Sequence, residues 1–271
     1  MAFTQFYGIW DQDQATAFSP DNISNLVCWI EADYEVLDSG GLACTDGENV
    51  ETWSNRANAS YDAAQTTTGN QPTFSASGGP NNKNAVYFAG VDEWMDFGNN
   101  AAPFIPQTGN FHIFFGGGFP DNGNAYWGSQ RTNSTSGGIY WLFRRLGGGV
   151  RHRTAFDSDG TVSTNSVQTD ESGSASTDDL HYELDRSSNT FSFEVWDSST
   201  TSDDSDTITE SRNIEQCGMI IGAYNTNAST YNGTPTGYAE MYLQYLLIYQ
   251  QEVTGTDLTN LRTYLQKWNR P

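Results

Sequence analysis

Residues 239–249, AEMYLQYLLIY, followed by residues 253–268, VTGTDLTNLRTYLQKW, decide how this chain is read. The first run is apolar at nearly every position, so it reads as a strand covered on both faces rather than a half-exposed one. The second starts with Thr254 as N-cap and Asp257 at N3, with Val253 and Leu258 placed to close a hydrophobic staple. Leu258, Leu261, Leu265 and Trp268 then recur at helical spacing, giving one apolar stripe and one polar side. A short amphipathic helix must dock on something. In a chain otherwise short of helical periodicity, that surface is a β-sandwich built around the preceding strand.

Composition agrees with an all-β reading. The 271 residues include 8 Trp, 14 Tyr, 15 Phe and 27 Gly, which supplies rings for a core and glycine for many turns. The formal charge is -21, and it arises from a shortage of bases, because Lys83 and Lys267 are the chain's two lysines. Such a surface repels nucleic acid and anionic membranes, so neither is expected as a partner. Cys28, Cys44 and Cys217 are odd in number and lack metal-ligand spacing, which implies free or partly buried thiols, one disulfide being the other reading. The N-terminal MAFTQFYGIWDQDQ has neither a basic region nor an apolar run, and no stretch reaches transmembrane length. The expectation is synthesis in a cytoplasm without a signal peptide.

Residues 1–18 hold Phe3, Phe6, Tyr7, Trp10 and Phe18 without a clean period, and exposed rings on a free tail are costly. They read as an aromatic arm that docks on a neighbouring chain, packing within the chain being the other reading. Residues 19–271 read as one domain. Its strands are expected at 23–33, around Val50 and Trp53, at 71–74 as an edge, at 85–88, at 94–97, at 111–115 as a central strand, and from Met219. Two hairpins are expected: 139–145 with 150–156 across Gly147-Gly148-Gly149, and 180–185 with 190–196 across Ser187-Ser188-Asn189. Segments 161–179 and 198–213 are rich in Ser, Thr, Asp and Glu with little to bury, so they are surface loops or ragged edge strands.

Pro20, Asn25-Leu26-Val27, Trp29, Ala32-Asp33, Val50, Trp53, Gln71-Pro72, Val86, Phe88 and Gly90 together resemble the opening of a laminin-G-like, concanavalin A-like jelly-roll domain. Gly222, residues 240–249 and the capped helix through Trp268 resemble its closing strand and docked helix. The resemblance implies two curved antiparallel sheets face to face, one with a concave outer side. It spans sugar binders, glycoside hydrolases, lyases and structural modules, among them virion proteins of bacteriophages. Glucanases of this kind carry Glu-x-Asp-x-Glu on a concave-face strand. Here Glu183-Leu184-Asp185 supplies the first half, but Ser187, or Ser188 with a bulge, stands where the second Glu belongs. Retaining hydrolysis needs two carboxyl groups about 5 Å apart. His112, His152 and His181 share no motif, and His112 reads as a hydrogen-bonded, half-buried residue. The expectation is therefore a non-enzymatic chain.

Three candidate sites remain. In the 180–196 hairpin, Leu180, Tyr182, Leu184, Phe191, Phe193 and Val195 alternate toward the core, leaving His181, Glu183, Asp185, Glu194 and Trp196 on the other face. Trp196 with Glu183, Asp185 and Glu194 would form a glycan site, the ring stacking on a sugar and the carboxylates accepting its hydroxyls. Arg144, Arg145, Arg151 and Arg153, four of the chain's ten arginines, form a basic hairpin tip suited to docking an acidic partner surface. Asp92 and Asp96 occupy a rim position where the resemblance implies Ca2+, with no cofactor otherwise expected. The combined expectation is an exterior structural protein of a bacteriophage particle, a capsid decoration or fibre-type protein. Its partners would be other virion proteins or its own copies, and host surface polysaccharide is a further candidate. The alternative is a carbohydrate-binding module or lectin, with an atypical glycoside hydrolase third.

Overall fold

The strand Glu240–Tyr249 lies inside its sheet, with partners on both edges. Phe111–Gly118 pairs with it along one edge. The other edge is shared, Ala85–Ala89 taking residues 240–243 and Leu26–Glu31 taking residues 245–249. The register slips between Leu243 and Tyr245, so Gln244 lies at the bulge between the two partners. These relations come from a computed structural model, which describes residues 18–98, 104–106, 108–118, 126–130, 141–146, 150–155, 166–171, 180–196, 204–209, 219–225 and 235–268. In the strands at 126–130, 141–146, 150–155 and 166–171 it describes the backbone.

The fold is a β-sandwich of two antiparallel sheets with a short C-terminal helix. The first sheet runs Asp204–Thr209, Thr190–Trp196, Leu180–Ser187, Phe111–Gly118, Glu240–Tyr249, Ala85–Ala89, Thr73–Ser75, with Leu26–Glu31 attached beside Glu240–Tyr249. The second runs Ser166–Glu171, Val150–Ala155, Trp141–Leu146, Tyr126–Gln130, Met219–Ile221, Met95–Asp96, Ala63–Ala64, Thr52–Trp53, Val36–Leu37. Both low-complexity segments contain a strand, Ser166–Glu171 and Asp204–Thr209, and each ends its sheet. Alternating Asp and Ser at such an edge discourages pairing with another chain.

The core lies between the sheets and is filled from alternate positions. Tyr182, Leu184, Phe191, Phe193 and Val195 are all fully buried, as the alternation requires. They meet Ile113, Phe115, Leu246 and Ile248 from the neighbouring strands in one apolar cluster. Cys28 and Cys44 are free thiols, the first buried and the second part-exposed. Among the described residues no helix is long and apolar enough to cross a membrane.

The central strand extends beyond the expected Phe111–Phe115 into Gly116, Gly117 and Gly118, and two of these glycines have a steric cause. A Cβ at Gly117, where φ is 153°, would lie 1.9 Å from the Tyr242 carbonyl oxygen, and one at Gly116 would lie 2.5 Å from the Tyr245 ring. The bulge at Gln244 presses the neighbouring main chain against this stretch, and glycine alone leaves room.

Residues 254–268 form the expected helix, Gly255–Leu265, continued by a 3-10 turn over Gln266–Trp268. Thr254 occupies the N-cap position in an extended conformation, yet its hydroxyl makes no capping bond. Entry instead runs through Gly255 at φ 60°, so the expected cap chemistry is replaced by a glycine turn. Val253, Leu261, Leu265 and Trp268 are buried at 3% exposure or less, so the stripe docks as its spacing requires.

Candidate functional site

The helix docks on the very face of the 180–196 hairpin that the sequence marks as a glycan site. His181 pairs with Trp196 and Glu183 with Glu194 across the hairpin, so those residues do share a face. That face is not open. Trp196 has no exposed surface and Glu183 keeps 2%. His181 stacks on the Trp196 ring at 4.0 Å between centroids and hydrogen-bonds to the Tyr245 hydroxyl through Nδ1. The Arg262 guanidinium lies over the same tryptophan at 5.9 Å. A sugar cannot stack on a ring already covered this way. The expectation of an exposed Trp196 platform is corrected: docking the helix buries more apolar surface than an open face would.

Beneath the helix the carboxylates serve as anchors. Arg262 Nε donates to Glu183 Oε1 at 2.7 Å, and Nη2 donates to Glu183 Oε2 and to Glu194 Oε2, both at 2.6 Å. His112 is buried rather than half-buried, with Nε2 3.5 Å from Glu183 Oε2 and Nδ1 accepting from the Val253 N–H at 3.4 Å. Burial alone would push the Glu183 carboxyl up, but the nearby His112 imidazole and the hydrogen bonds from Arg262 outweigh it and hold it below the usual range.

Asp185, on the same face, behaves oppositely. Desolvation by burial pushes its carboxyl up to about 6, despite the opposing charge of His112. An aspartate raised in the folded state holds its proton there more tightly than in the unfolded chain. Its stabilising contribution is present at low pH and is lost as pH rises from about 4 through about 6. Asp185→Asn, which cannot ionise, is therefore expected to melt higher than the parent at pH 8, by about 1–3 kcal/mol of stability. The gain should shrink to nothing below pH 4. Thermal melts of both proteins at the two pH values check this, and a variant less stable than the parent at pH 8 contradicts it.

A second anchor was not read from the sequence. Glu31 is fully buried, and three groups converge on it: Lys267 Nζ at 2.8 Å, Arg56 Nη1 at 3.1 Å and the Tyr264 hydroxyl at 3.0 Å. The available signal was the position of Lys267 and Arg262 on the polar side of the helix, in a chain with few bases.

The other expected sites fare differently. By backbone register Arg144 pairs with Arg153, Arg145 with His152 and Leu146 with Arg151, which brings the four arginines onto adjacent strands; the Gly147–Gly149 turn lies outside the described residues. Phe3, Phe6, Tyr7 and Trp10 also lie outside them, while Phe18 packs edge-on against Tyr264 at 6.2 Å. Asp96 Oδ1 accepts from the Gly98 N–H at 2.8 Å, and the Asp92 N–H donates to Glu93 Oε2 at 3.3 Å. Among the described residues no three His, Cys, Asp or Glu side chains come together in a set that could hold a metal ion, so Asp92 and Asp96 are not joined in one.

An open cleft of about 290 Å³ lies where the helix ends, lined by Asp33, Asn82, Lys83, Asn84, Lys267 and Trp268. Its loop is built by the run PNNKN at 80–84. Asn81 and Asn82 both sit at positive φ, 53° and 56°, a conformation that asparagine tolerates better than other side-chain-bearing residues. Gln244, the residue at the bulge, donates to the Pro80 carbonyl at 3.1 Å. Asn81 donates to the Trp268 carbonyl at 3.2 Å, which ties the loop to the end of the helix. Lys83 closes the turn through its own backbone, its N–H bonding Pro80 O at 3.1 Å and its carbonyl accepting from Gly79 at 3.0 Å. The result is a pinned wall that brings two amide residues and a lysine to a cleft completed by Asp33, Lys267 and Trp268. Those groups can donate to and accept from a polyhydroxylated ligand on several sides.

No protein-family model matches this sequence, and no curated protein matches it. Solved structures share its fold. A GH54 α-L-arabinofuranosidase soaked with a cyclic sulfate inhibitor aligns at a TM-score of 0.57 and 8% identity, covering 90% of this chain and 63% of that one. An arabinofuranosidase complexed with arabinofuranosyl-α-1,2-xylobiose aligns at 0.52 and 9% identity, covering 82% and 51%. Trypanosoma rangeli sialidase in complex with 2,3-difluorosialic acid aligns at 0.50 and 9% identity, covering 92% and 34%. The chain thus spans less than two thirds of each of these proteins. At such identity the likeness is one of fold: this is a β-sandwich of a kind that carbohydrate-active proteins use. The expectation of a non-enzymatic chain is corrected on the same finding, because this sandwich is carried by proteins named as arabinofuranosidases and a sialidase, so the fold gives no ground for excluding an enzyme. The virion expectation has no counterpart among these similarities.

Proposed function

We propose that this chain is a glycan-binding β-sandwich protein that takes a saccharide in the cleft between the 80–84 loop and the end of the C-terminal helix. The cleft carries the proposal: about 290 Å³ of open space lined by Asn82, Lys83 and Asn84 from a loop held at Pro80 and Asn81, and by Asp33 from a separate segment. That volume lies just below the range for drug-sized ligand pockets, roughly 300–1,000 Å³, and suits one sugar residue. A pre-formed loop loses little conformational entropy when a ligand arrives, so a few hydrogen bonds suffice for measurable affinity. The ligands named with the solved relatives, arabinofuranosides and sialic-acid analogues, favour a saccharide over other small polar molecules.

A glycan array followed by calorimetric titration of the hits tests this, with sugar release measured in the same samples so that turnover is seen if it occurs. Asn82→Gly, which keeps the positive φ at that position, and Asn84→Ala, each removing one amide from the cleft, are expected to weaken binding about 3- to 10-fold without lowering the melting temperature. Binding unchanged in both variants, or no binding to any glycan, contradicts the assignment.

A further inference from the structure

The charges around the cleft point to the kind of sugar it takes. The chain as a whole carries -21, yet its two lysines, Lys83 and Lys267, both line this one cavity. Lys267 is already committed, with Glu31 at 2.8 Å and Asp33 at 3.5 Å. Arg56 neutralises the far side of Glu31 at 3.1 Å. Lys83, half-buried in the loop, makes no ion pair among the described residues. Of the two ammonium groups lining the cleft, Lys267 is thus paired and Lys83 has no carboxylate within ion-pair distance among the described residues, in an otherwise strongly negative molecule.

We infer that the cleft recognises a sugar residue carrying a single acidic group, with the Lys83 ammonium as its counter-charge. This rests on the saccharide reading above and narrows it. The hydroxyls of such a residue would meet the amides of Asn82 and Asn84 and the carboxylate of Asp33, while its acid meets Lys83. A neutral sugar leaves the Lys83 charge without a partner, which forfeits the strongest interaction on offer, because a hydrogen bond to a charged group outweighs a neutral one. A long polyanion is disfavoured for a different reason. At physiological salt, charges interact over about 8 Å, so every acid group lying outside the cleft would feel the negative surface rather than Lys83. The fitting ligand bears its acid at the residue that enters the cleft, on a chain that is otherwise neutral.

The test uses the full chain and matched pairs of probes: methyl glucuronide against methyl glucoside, methyl galacturonide against methyl galactoside, and the 6-sulfate of each neutral sugar. Binding is followed by calorimetry with the parent, Lys83→Gln and Lys83→Arg. In the parent at least one acidic probe is expected to bind about 10-fold or more tighter than its neutral partner. Comparing uronide with sulfate shows which acid the lysine accepts. Lys83→Gln should abolish the preference and Lys83→Arg should keep it, with melting temperatures unchanged. Equal binding of acidic and neutral members, or a preference that survives Lys83→Gln, overturns the inference while leaving the saccharide reading standing. If neither these probes nor any glycan on the array binds, both readings fall together.

Discussion

Replacing Arg262 by alanine is expected to cost about 3–5 kcal/mol of stability, the largest effect of any polar substitution described for this chain. Glu183 is the reason. It is 2% exposed, and Arg262 supplies two of its short hydrogen bonds while also holding Glu194. Without the guanidinium a carboxylate is left in the interior with the His112 ring beside it, and the molecule must either keep it charged or protonate it. The second route gives the effect a pH signature. The Glu183 carboxyl now lies below its usual range, and in the variant burial would push it above. A raised folded-state carboxyl stabilises at low pH and loses that contribution as pH rises, so the deficit relative to the parent should be larger at pH 8 than at pH 5. For a chain of this size the shift in Tm is roughly 6–20 °C. Adding Glu183→Gln to Arg262→Ala should recover much of the loss, because the buried charge is then gone. Melts at both pH values check the prediction. A single variant within a degree of the parent, or a double variant no better than the single, contradicts the anchoring role.

Leu265→Ala is expected to cost about 2–5 kcal/mol. Leu265 and Leu261 are both fully buried beneath the helix, so truncation loses transfer energy and opens a cavity on the outer side of the first sheet. The consequence reaches function. Lys267 and Trp268 follow in the same 3-10 turn, and Asn81 holds the loop by bonding the Trp268 carbonyl. A helix that lifts takes one wall of the cleft with it, so saccharide binding should fail at a lower denaturant concentration than the loss of β-sheet circular dichroism. Denaturant titration with both readouts, comparing Leu265→Ala with the parent, measures the cost and the order of events. An unchanged midpoint would show that the helix contributes little to either.

Several features were legible in the sequence because their causes are local. The alternation in residues 180–196 correctly assigned Tyr182, Leu184, Phe191, Phe193 and Val195 to the core, since successive side chains in a strand must point to opposite faces. The spacing of Leu261, Leu265 and Trp268 predicted a docked helix. The length and uniform apolarity of residues 239–249 predicted a central strand, and both its edges are paired. The cap was misread because the sequence does not show that Gly255 takes a positive φ, which makes the Thr254 hydroxyl dispensable. The strands within residues 161–179 and 198–213 were half-visible. Polar edge strands carry little periodic signal, and their order depends on a neighbour elsewhere in the chain.

The cleft was not visible, because its parts come from residues 33, 82–84 and 267–268, and no window of sequence contains them together. The buried glutamates teach the same point. Side-chain alternation and hairpin pairing are settled by near neighbours, so residue order alone places Glu183, Glu194 and Trp196 on one face. Whether that face meets water or another element depends on long-range packing. Arg262 lies 79 positions from Glu183, and which of two outer surfaces the helix covers depends on where the chain leaves the Glu240–Tyr249 strand and on which surface offers carboxylates to its bases. An exposed aromatic beside acids and a buried anchor for an arginine have the same sequence pattern. They differ in the desolvation of the charges and the apolar area the helix removes from water, and both are fixed when the distant segments meet.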